Sequence, residues 1–404
     1  MTAWPTADET AVRSEAVAGT RSGRIVGLEG LRGLAALGVL VTHVGFVSGA
    51  VGGRILPGVL SRLDFGVCLF FVLSGFLLYR PWVKGRPDGS RPDLRAYVVH
   101  RAARLLPAWL LLMVGTWLVV PQTREVAGRT WAAYLTLTQI YRRGEPIGAL
   151  NQLWSLSTEI AFYLALPFVA SLLLVTVRRR GDARAHLLAL AALAVAAWCF
   201  RVAVTQGWIL DRIALQWLPA HFDWFAAGMA LAVVCAPGSG PWGAGVARVL
   251  RVAATPLRIA ALALFWLCTT PVAGPLDLTP PATGQDLLRH VSYVLMAVAL
   301  VGPICVDPGE PVARALARPT LRRLGTVSYG IFLWHLPLLY AVRSALGLRI
   351  FGGGFWESLV LTAAVSIAVA TFSWVLVERP VLNLAHAYRP AYRGRRAGST
   401  PPLL

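Results

Sequence analysis

Two basic side chains, Arg32 and His43, interrupt an otherwise apolar stretch of the chain, residues 28–46. Their spacing of 11 residues is almost three turns of an α-helix, so both side chains leave one face about 16 Å apart along the axis. If the stretch crosses a bilayer, whose hydrocarbon core is about 30 Å thick, Arg32 lies at the mouth and His43 near the midplane. An ionisable group there is unfavourable unless it faces a cavity or a partner. His43 is therefore a candidate catalytic residue, and a histidine that only bonds a neighbouring helix is the alternative.

Glu159 and His335 are predicted to lie at the depth of His43. Each follows the start of an apolar span, Glu159 by roughly nine residues and His335 by roughly ten, at about 1.5 Å per residue. Ionisable residues of separate spans that share one layer indicate a common site lined by protein or water. A structural bridge between the glutamate and a histidine is the alternative.

Arg101 and Arg104, in H-R-A-A-R-L-L-P-A-W, lie three residues apart where a basic loop enters an apolar span, so they share one helical face. Guanidinium groups bind phosphate oxygens through two parallel hydrogen bonds, and a helix start adds its own positive end. An anionic donor such as a coenzyme A thioester is therefore a candidate ligand. Contact with anionic lipid headgroups accounts for these two residues equally well.

Ser74 lies in the segment F-F-V-L-S-G-F, where small residues usually serve helix packing. No G-x-S-x-G turn surrounds it, so a hydrolase-like nucleophile is not indicated. Glu378, in V-E-R-P, is interpreted as capping its helix or pairing with Arg379. Ionisable residues near the ends of spans, any of which could help to bind an acceptor, are Asp64, His221, Asp223 and His290.

The composition places these residues in a membrane protein. Of 404 residues, 56% are hydrophobic and 14% are charged, against roughly 25% charged in soluble domains. Basic residues exceed acidic ones by 19. They form short clusters between apolar runs, as the positive-inside rule expects of membrane loops, so nucleic-acid binding is not indicated. The five cysteines stand singly, without C-x-x-C spacing, so neither a metal site nor a disulfide framework is indicated.

The apolar runs predict an all-α integral membrane protein with a bundle of about ten transmembrane helices. The predicted spans are residues 28–46, 63–79, 105–120, 151–177, 187–205, 220–235, 259–270, 291–305, 325–342 and 357–377. The seventh is short. The mixed segment 121–150 suits a short interfacial helix.

Ten spans place both termini on one side of the membrane, and the basic loops at 80–104 and 178–184 predict that this side is cytoplasmic. Residues 1–23 lack the apolar core of a signal peptide and are expected to form a disordered cytoplasmic tail. A transmembrane domain at 24–382 and a cytoplasmic tail at 383–404 are expected to follow. No inverted repeat is evident, which lowers the expectation of a transporter.

Six short motifs follow one another along the chain. They are Arg32 and His43 with ten residues between them, F-F-V-L-S-G-F at 70–76, R-x-x-R at 101–104, W-S-L-S-T-E at 154–159, S-Y-G-I-F-L-W-H at 328–335 and V-E-R-P at 377–380. Together they resemble the membrane acyltransferase-3 family, over about residues 24–382. Each motif alone is weak, but six in order are a strong signal.

The resemblance implies about ten transmembrane helices and transfer of an acyl group, usually from coenzyme A, to a hydroxyl of a sugar, glycan, lipid or macrolide. It implies that Arg32 and His43 are the catalytic pair, that Glu159 belongs to the active-site region and that Arg101 and Arg104 bind the donor. Residues expected to support the site are Ser74, Ser328, Tyr329 and His335. The long N-terminal tail and the lack of an extracytoplasmic hydrolase-like domain depart from the family pattern, so the chemistry is expected within the membrane core.

The sequence thus predicts an O-acyltransferase of the cell membrane. Acyl-coenzyme A is expected as a co-substrate, with no tightly bound cofactor and no metal, and the other partners are a hydroxyl-bearing acceptor and the bilayer. A neutral His43 would act as general base on the acceptor hydroxyl while Glu159 or His335 fixes its tautomer. The alternative is a proton-coupled transporter or exporter in which these three residues form a relay.

Overall fold

The computed structural model of this chain describes residues 25–52, 57–84, 92–144, 146–178, 183–277 and 279–387. The predicted tail at 1–23 lies outside this range, as do residues 388–404 of the predicted C-terminal tail. Helices dominate the described part, and no β-strand occurs within it. The prediction of an all-α protein is therefore confirmed.

The α-helices follow one another along the chain, with short 3-10 turns between some of them. In order they are α1 (Gly27–Ser48), α2 (Pro57–Arg62), α3 (Phe65–Lys84), α4 (Leu94–Val119), α5 (Gly128–Leu135), α6 (Leu153–Arg178), α7 (Ala183–Thr205), α8 (Leu218–Val234), α9 (Gly240–Val252), α10 (Ala254–Cys268), α11 (Thr283–Val306), α12 (Pro311–Leu316), α13 (Pro319–Ala345), α14 (Phe355–Ser373) and α15 (Arg379–Ala387). A π-helical turn, Trp374–Glu378, joins α14 to α15.

Within the described residues, nine helical segments are long and apolar enough to cross a bilayer. A tenth span arises if α9 and α10, which meet at a bend of 72°, cross together. The predicted seventh span, residues 259–270, overlaps only α10, and α9 lies outside every predicted span. The chain is thus a multi-pass membrane protein, as predicted. The side of the membrane on which its loops lie stays a prediction.

The start of α4 is fixed by its N-cap residue, Asp93. One carboxylate oxygen of Asp93 accepts the backbone N–H groups of Arg95 at 2.9 Å and Ala96 at 3.3 Å. The cap satisfies N–H groups that have no partner inside the helix. It therefore sets the helical phase at which Arg101 and Arg104 follow.

Helix α1 packs most extensively against α13. A Cβ atom at Gly325 would lie 2.0 Å from Glu29 O, and one at Gly33 would lie 2.9 Å from Gly325 N, so only glycine permits this approach. Each of these glycines precedes a histidine by ten residues, Gly33 before His43 and Gly325 before His335. The two helices run parallel, and their close contact therefore sets the register that brings the histidines together.

Helices α3 and α8 form a second close pair. A Cβ atom at Gly75 would lie 2.2 Å from Phe225 O, which shows that the glycine of F-F-V-L-S-G-F serves helix packing. Phe225 also stacks on Phe71 and on Phe162, with ring centroids 4.5 Å and 4.0 Å apart. These rings join α3, α6 and α8 into the core next to which Ser74 lies.

A buried ion pair ties α7 to α11. The guanidinium of Arg201 donates to both oxygens of Asp286, at 2.6 Å and 3.0 Å, and Arg289 adds a third contact at 3.3 Å. A charge inside a helical bundle requires such compensation, because an unpaired buried charge is strongly destabilising. Arg201 therefore has a structural role.

Candidate active site

The imidazoles of His43 and His335 contact each other between α1 and α13. His43 Nδ1 lies 2.9 Å from Val39 O and 3.1 Å from His335 Nε2, and His335 Nδ1 lies 3.2 Å from Ile331 O. A backbone carbonyl only accepts, so each Nδ1 carries the proton, and His335 Nε2 accepts from His43 Nδ1. This assignment leaves the lone pair of His43 Nε2 free.

His43 lines a cavity of about 460 Å³, which we call the His43 cavity. Its walls come from α1, α3, α6, α8, α11, α13 and the loops before α6 and after α13. The volume lies in the range of small-ligand sites. His43 sits in the last third of the 22-residue helix α1, so it is closer to a helix end than the midplane estimate implied.

Two polar features stand on the wall of the His43 cavity. Asp64 Oδ1 accepts the hydroxyl of Tyr293 at 2.5 Å. Thr42 also lines the cavity, and its Oγ1 is buried with no hydrogen-bond partner among the described residues. Sequence reasoning placed Asp64 only at a span end, because nothing local shows that Tyr293, 229 positions later, faces it.

The loop after α13 closes one side of the His43 cavity. The backbone N–H of Phe351 donates to Val47 O at 2.8 Å, and that of Gly353 donates to Ser48 O at 3.0 Å. Arg343 holds the loop from within by donating to Gly353 O at 2.9 Å. Phe351 lines the cavity with a φ of +61°, which is uncommon for a bulky residue. These bonds fix the loop as a wall of the site.

A second cleft, of about 660 Å³, adjoins the His43 cavity, and Pro146, Asn151 and Trp154 line both. We call it the polar cleft. Its polar lining includes Gln122, Glu125, Arg129, Gln139, Arg142 and Gln216. Gln139 Oε1 is buried there without a hydrogen-bond partner in the described part of the chain. The cleft therefore offers hydrogen-bonding groups next to the space that His43 faces.

Glu159 lies beside Arg32. Its Oε1 accepts the hydroxyl of Ser74 and, at 2.6 Å, that of Tyr163. Glu159 and Arg32 line a cavity of about 30 Å³, the Arg32 cavity, which has room for about one water molecule. Arg32 Nε is buried with no hydrogen-bond partner among the described residues.

The expected common layer of Glu159, His43 and His335 is not observed. Glu159 lines the Arg32 cavity, whereas Trp154, five residues earlier on α6, lines the His43 cavity. No hydrogen bond joins Glu159 to either histidine in the described structure. A residue count along a span does not show which way a side chain faces, and Glu159 faces the Arg32 cavity.

Arg104 is packed between two aromatic rings. Its Cζ lies 5.6 Å from the ring centroid of Tyr329 and 5.4 Å from that of Trp374. Its Nη1 lies 3.8 Å from Glu378 Oε2. The sequence interpretation of Glu378 as a cap or a partner of Arg379 is therefore corrected: its partner is Arg104, because the π-helical turn brings Trp374 and Glu378 together against α4.

Two tyrosines connect the arginine pair to the Arg32 cavity. Arg101 Cζ lies 6.0 Å from the ring centroid of Tyr163, whose hydroxyl bonds Glu159. Tyr329, which contacts Arg104, lines the Arg32 cavity. The arginines, Arg32 and Glu159 thus belong to one connected region.

The other predicted supporting serine, Ser328, is fully buried, and its hydroxyl donates to Gly325 O of its own helix at 2.8 Å. It lines neither the His43 cavity nor the Arg32 cavity. A further buried pair lies outside both cavities: His290 Nε2 is 2.9 Å from Asp223 Oδ1, and Trp198 donates to Asp223 Oδ2 at 2.8 Å. No spacing in the sequence signals that pairing, because its members come from three helices.

A family model described as "Acyltransferase domain" matches residues 25–378. The chain belongs to this acyltransferase family. The match covers nearly the whole described structure, so the resemblance carried by the six motifs is confirmed.

This member of the acyltransferase family is 29% identical over 374 residues to the "Putative peptidoglycan O-acetyltransferase YrhL" of Bacillus subtilis, covering 88% of this chain and 55% of that protein. It is 26% identical over 342 residues to Nodulation protein 10 of Rhizobium leguminosarum, covering 79% and 82%. It is 26% identical over 376 residues to peptidoglycan O-acetyltransferase OatA of Listeria monocytogenes, covering 88% and 55%. The chain spans about half the length of the first and third of these relatives. No solved structure matches it.

In this family member, the site residues form a column through the helical bundle. Arg104 contacts Tyr329, which lines the Arg32 cavity. Val67 lines both the Arg32 cavity and the His43 cavity, and the polar cleft follows beyond.

Proposed function

We propose that this protein is a membrane O-acyltransferase that moves an acyl group from an acyl-coenzyme A to a hydroxyl bound in the His43 cavity. The observation that supports this most is the hydrogen bonding that fixes the His43 imidazole. Val39 O and His335 engage His43 Nδ1, so Nε2 is free to act as a base in a cavity of about 460 Å³. A neutral imidazole is suited to this role near pH 7.

In the proposed reaction, His43 Nε2 takes the proton of the acceptor hydroxyl while the hydroxyl oxygen attacks the thioester carbonyl. The new C–O bond forms, the C–S bond breaks, and the coenzyme A thiolate leaves. The proton on His43 returns to this thiolate, so the enzyme ends the cycle unchanged. His335 holds the imidazole in the tautomer that the first step needs.

Arg32 has a separate task in this proposal. It lies 11 residues from His43 on one helix, about 16 Å along the axis, and the two residues line different cavities. We assign Arg32 to the donor path, where it lies between the arginine pair and the His43 cavity. The Arg32 cavity holds only about 30 Å³, so the thioester arm must displace side chains there as it enters.

Arg101 and Arg104 are proposed to bind the phosphates of the donor. They start the column that leads to His43, and a guanidinium matches phosphate geometry with two parallel hydrogen bonds. Since coenzyme A thioesters are made in the cytoplasm, this end of the bundle is assigned to the cytoplasmic side. The basic loop that precedes the pair supports that orientation.

The polar cleft is proposed to receive the acceptor. Its amide and charged groups match a hydroxylated molecule better than a purely apolar one, and it shares Trp154 and Asn151 with the His43 cavity. Two relatives carry peptidoglycan O-acetylation in their names. An acetyl donor and a cell-wall polysaccharide are therefore the first pair to test.

Transfer accounts for the site better than the proton-relay alternative. A relay through His43, His335 and Glu159 needs these groups in contact, and in the described structure Glu159 bonds Ser74 and Tyr163 instead. A transporter also has no need of an acyl-coenzyme A.

The test is acyl transfer by the purified protein in lipid nanodiscs, supplied with acetyl-coenzyme A and with peptidoglycan strands as the acceptor. We expect release of the coenzyme A thiol together with base-labile acetyl esters on the acceptor. Mass spectrometry of surface glycans, lipids and secreted metabolites from a deletion strain extends the test to other acceptors. If the strain loses no acyl ester and the protein releases no thiol from acetyl-coenzyme A, the proposal is wrong.

A further inference from the structure

The guanidinium of Arg104 occupies a slot whose walls are already in contact with it. The rings of Tyr329 and Trp374 lie on it at 5.6 Å and 5.4 Å, and the Tyr329 hydroxyl donates to Leu105 O at 3.1 Å, which fixes that ring. The Arg104 side chain is 21% exposed. The guanidinium of Arg104 is therefore held near both rings and remains partly accessible to a ligand.

Among the described residues, Glu378 forms an ion pair with Arg104, and it is almost fully buried, with 1% exposure. Its contact with Arg104 is long, at 3.8 Å, whereas a charge-assisted N–H to carboxylate hydrogen bond measures about 2.7–2.9 Å. Its other oxygen accepts the Ser373 hydroxyl at 3.1 Å. The ion pair is thus close enough to compensate the charges but too long to be a strong hydrogen bond.

The backbone around Glu378 is also unusual. Trp374 and Glu378 are the first and last residues of the π-helical turn, and both contact Arg104. Such turns are rare and occur often at functional sites.

We propose that Glu378 is an exchangeable counter-ion, which a phosphate of the acyl donor displaces from Arg104 when the donor binds. This proposal rests on the donor role proposed for Arg104. In the free protein Glu378 compensates the guanidinium, and in the complex the phosphate forms the shorter, two-point contact. Ser373 keeps one hydrogen bond to the carboxylate after the exchange.

The exchange makes Glu378 a competitor of the donor. Binding must break the Arg104 contact and leave a buried carboxylate with Ser373 as its remaining partner, and both effects lower donor affinity. The same competition helps the product leave, because Glu378 is present to take Arg104 back. Glu378 is in this sense a positioning residue, since it acts through Arg104.

Glu378→Gln is the decisive variant, because glutamine keeps the shape and the Ser373 contact but loses the charge. We expect coenzyme A to bind about five- to ten-fold more tightly than to the parent protein, since one competing charge is gone. If Glu378 only holds Arg104 in position, Glu378→Gln should weaken coenzyme A binding instead. Binding is measured by calorimetry on the full-length protein in nanodiscs, with coenzyme A as the probe.

The matched control is Glu310→Gln, which neutralises another partly buried carboxylate that pairs with an arginine, Arg258, away from the site. Coenzyme A affinity should not change in this variant. Pantetheine, which has no phosphate, is the second control. Glu378→Gln should leave pantetheine binding unchanged, because the competition concerns the phosphate alone.

Arg104→Ala separates this proposal from the proposed function. If Arg104→Ala binds coenzyme A as tightly as the parent, the donor role of Arg104 fails. If Arg104→Ala weakens binding but Glu378→Gln does not tighten it, only the counter-ion proposal fails. In the double variant, Glu378→Gln should no longer tighten binding, because its effect passes through Arg104.

Ser373→Ala serves as a second variant in case Glu378→Gln does not fold. The Ser373 bond is present before and after the exchange, but in the complex it is the remaining partner of the carboxylate, so its loss should weaken coenzyme A binding by about three- to ten-fold. Unchanged or tighter binding by a folded Ser373→Ala protein would overturn the proposal.

Discussion

The His43 cavity and the arginine end of the bundle differ in how their polar groups are satisfied. The cavity offers about 460 Å³ of space, and Thr42 Oγ1 on its wall has no hydrogen-bond partner among the described residues. At the arginine end, by contrast, Arg104 is already held by two rings and the carboxylate of Glu378. The His43 cavity thus holds open space, whereas the arginine end is filled by side chains of the protein itself.

The difference follows from the backbone elements that carry each region. His43 and His335 stand on two parallel helices whose glycine contacts leave no room to slide. Glu378 stands on a π-helical turn, which is less regular. If His43 is the base and Arg104 binds the donor, as we propose, a fixed position suits the base and a nearby competitor helps the binding group to release its product.

His43→Gln is expected to have the largest effect, and it tests the His43 cavity side of this comparison. Glutamine can still donate to Val39 O but cannot take a proton, so acetyl transfer should fall by at least about 10²-fold. The measurement is transfer by the purified variant, with its fold checked by thermal unfolding.

His186→Gln is the matched control for His43→Gln, because His186 is a buried histidine that bonds Tyr79 at 2.5 Å on another helix. It should keep activity within a few-fold of the parent. Near-parental activity of His43→Gln would show that His43 is not the base, and Glu159 would be the next residue to test.

Arg104→Ala is expected to give the next largest effect, on the donor side alone. Loss of a charged contact to phosphate should weaken acyl-coenzyme A binding by about 10- to 100-fold, and Arg104→Lys should restore only part of it because the two-point contact is lost. Arg124→Ala is the control, since Arg124 stacks on Trp117 at 5.5 Å outside the site. Unchanged donor binding would assign Arg104 to lipid contact instead.

His335→Leu tests whether the second histidine holds the first. Without the acceptor at Nε2, His43 keeps only its bond to Val39 O, and kcat should drop by about ten-fold with a changed pH–rate profile. His335→Gln should recover much of the activity, because its side-chain oxygen can accept from His43. Equal losses in both variants would point to packing alone.

Tyr293→Phe is expected to give the smallest effect and to sharpen the difference between the two regions. It leaves Asp64 on the cavity wall without its hydroxyl partner, so KM for the acceptor should change by about three- to ten-fold. The donor KM should stay constant, because the change lies in the His43 cavity. A shift of the donor KM instead would mean that the donor reaches this wall.

The helices and most of the spans could be predicted because long apolar runs are a local property of the sequence. The bend between α9 and α10 was the exception: Arg248, Arg251 and Arg258 interrupt the apolar residues around it, and only the structure shows an angle of 72°. His43 and His335 could be selected in advance because an ionisable residue in an apolar span needs a partner. Their contact agrees with that reasoning.

The partners of Glu159 and Glu378 could not be predicted. Glu159 was assigned by depth to the histidines and instead bonds Ser74 and Tyr163. Glu378 was assigned to its neighbour Arg379 and instead faces Arg104. Both errors have one cause: the sequence gives the position of a residue along its own helix, but not the rotation and tilt of that helix against the others.

The sequence by itself determined that this chain is a helical membrane protein, which family it resembles and which few ionisable residues enter its spans. These follow from composition, spacing and the unfavourable transfer of charge into a bilayer. The tertiary structure alone decided that His43 and His335 are hydrogen-bonded to each other. It also decided that Glu159 lies beside Arg32 and that Arg104 pairs with Glu378. Those arrangements depend on close packing between helices far apart in the chain, where a glycine contact or a π-helical turn fixes the register.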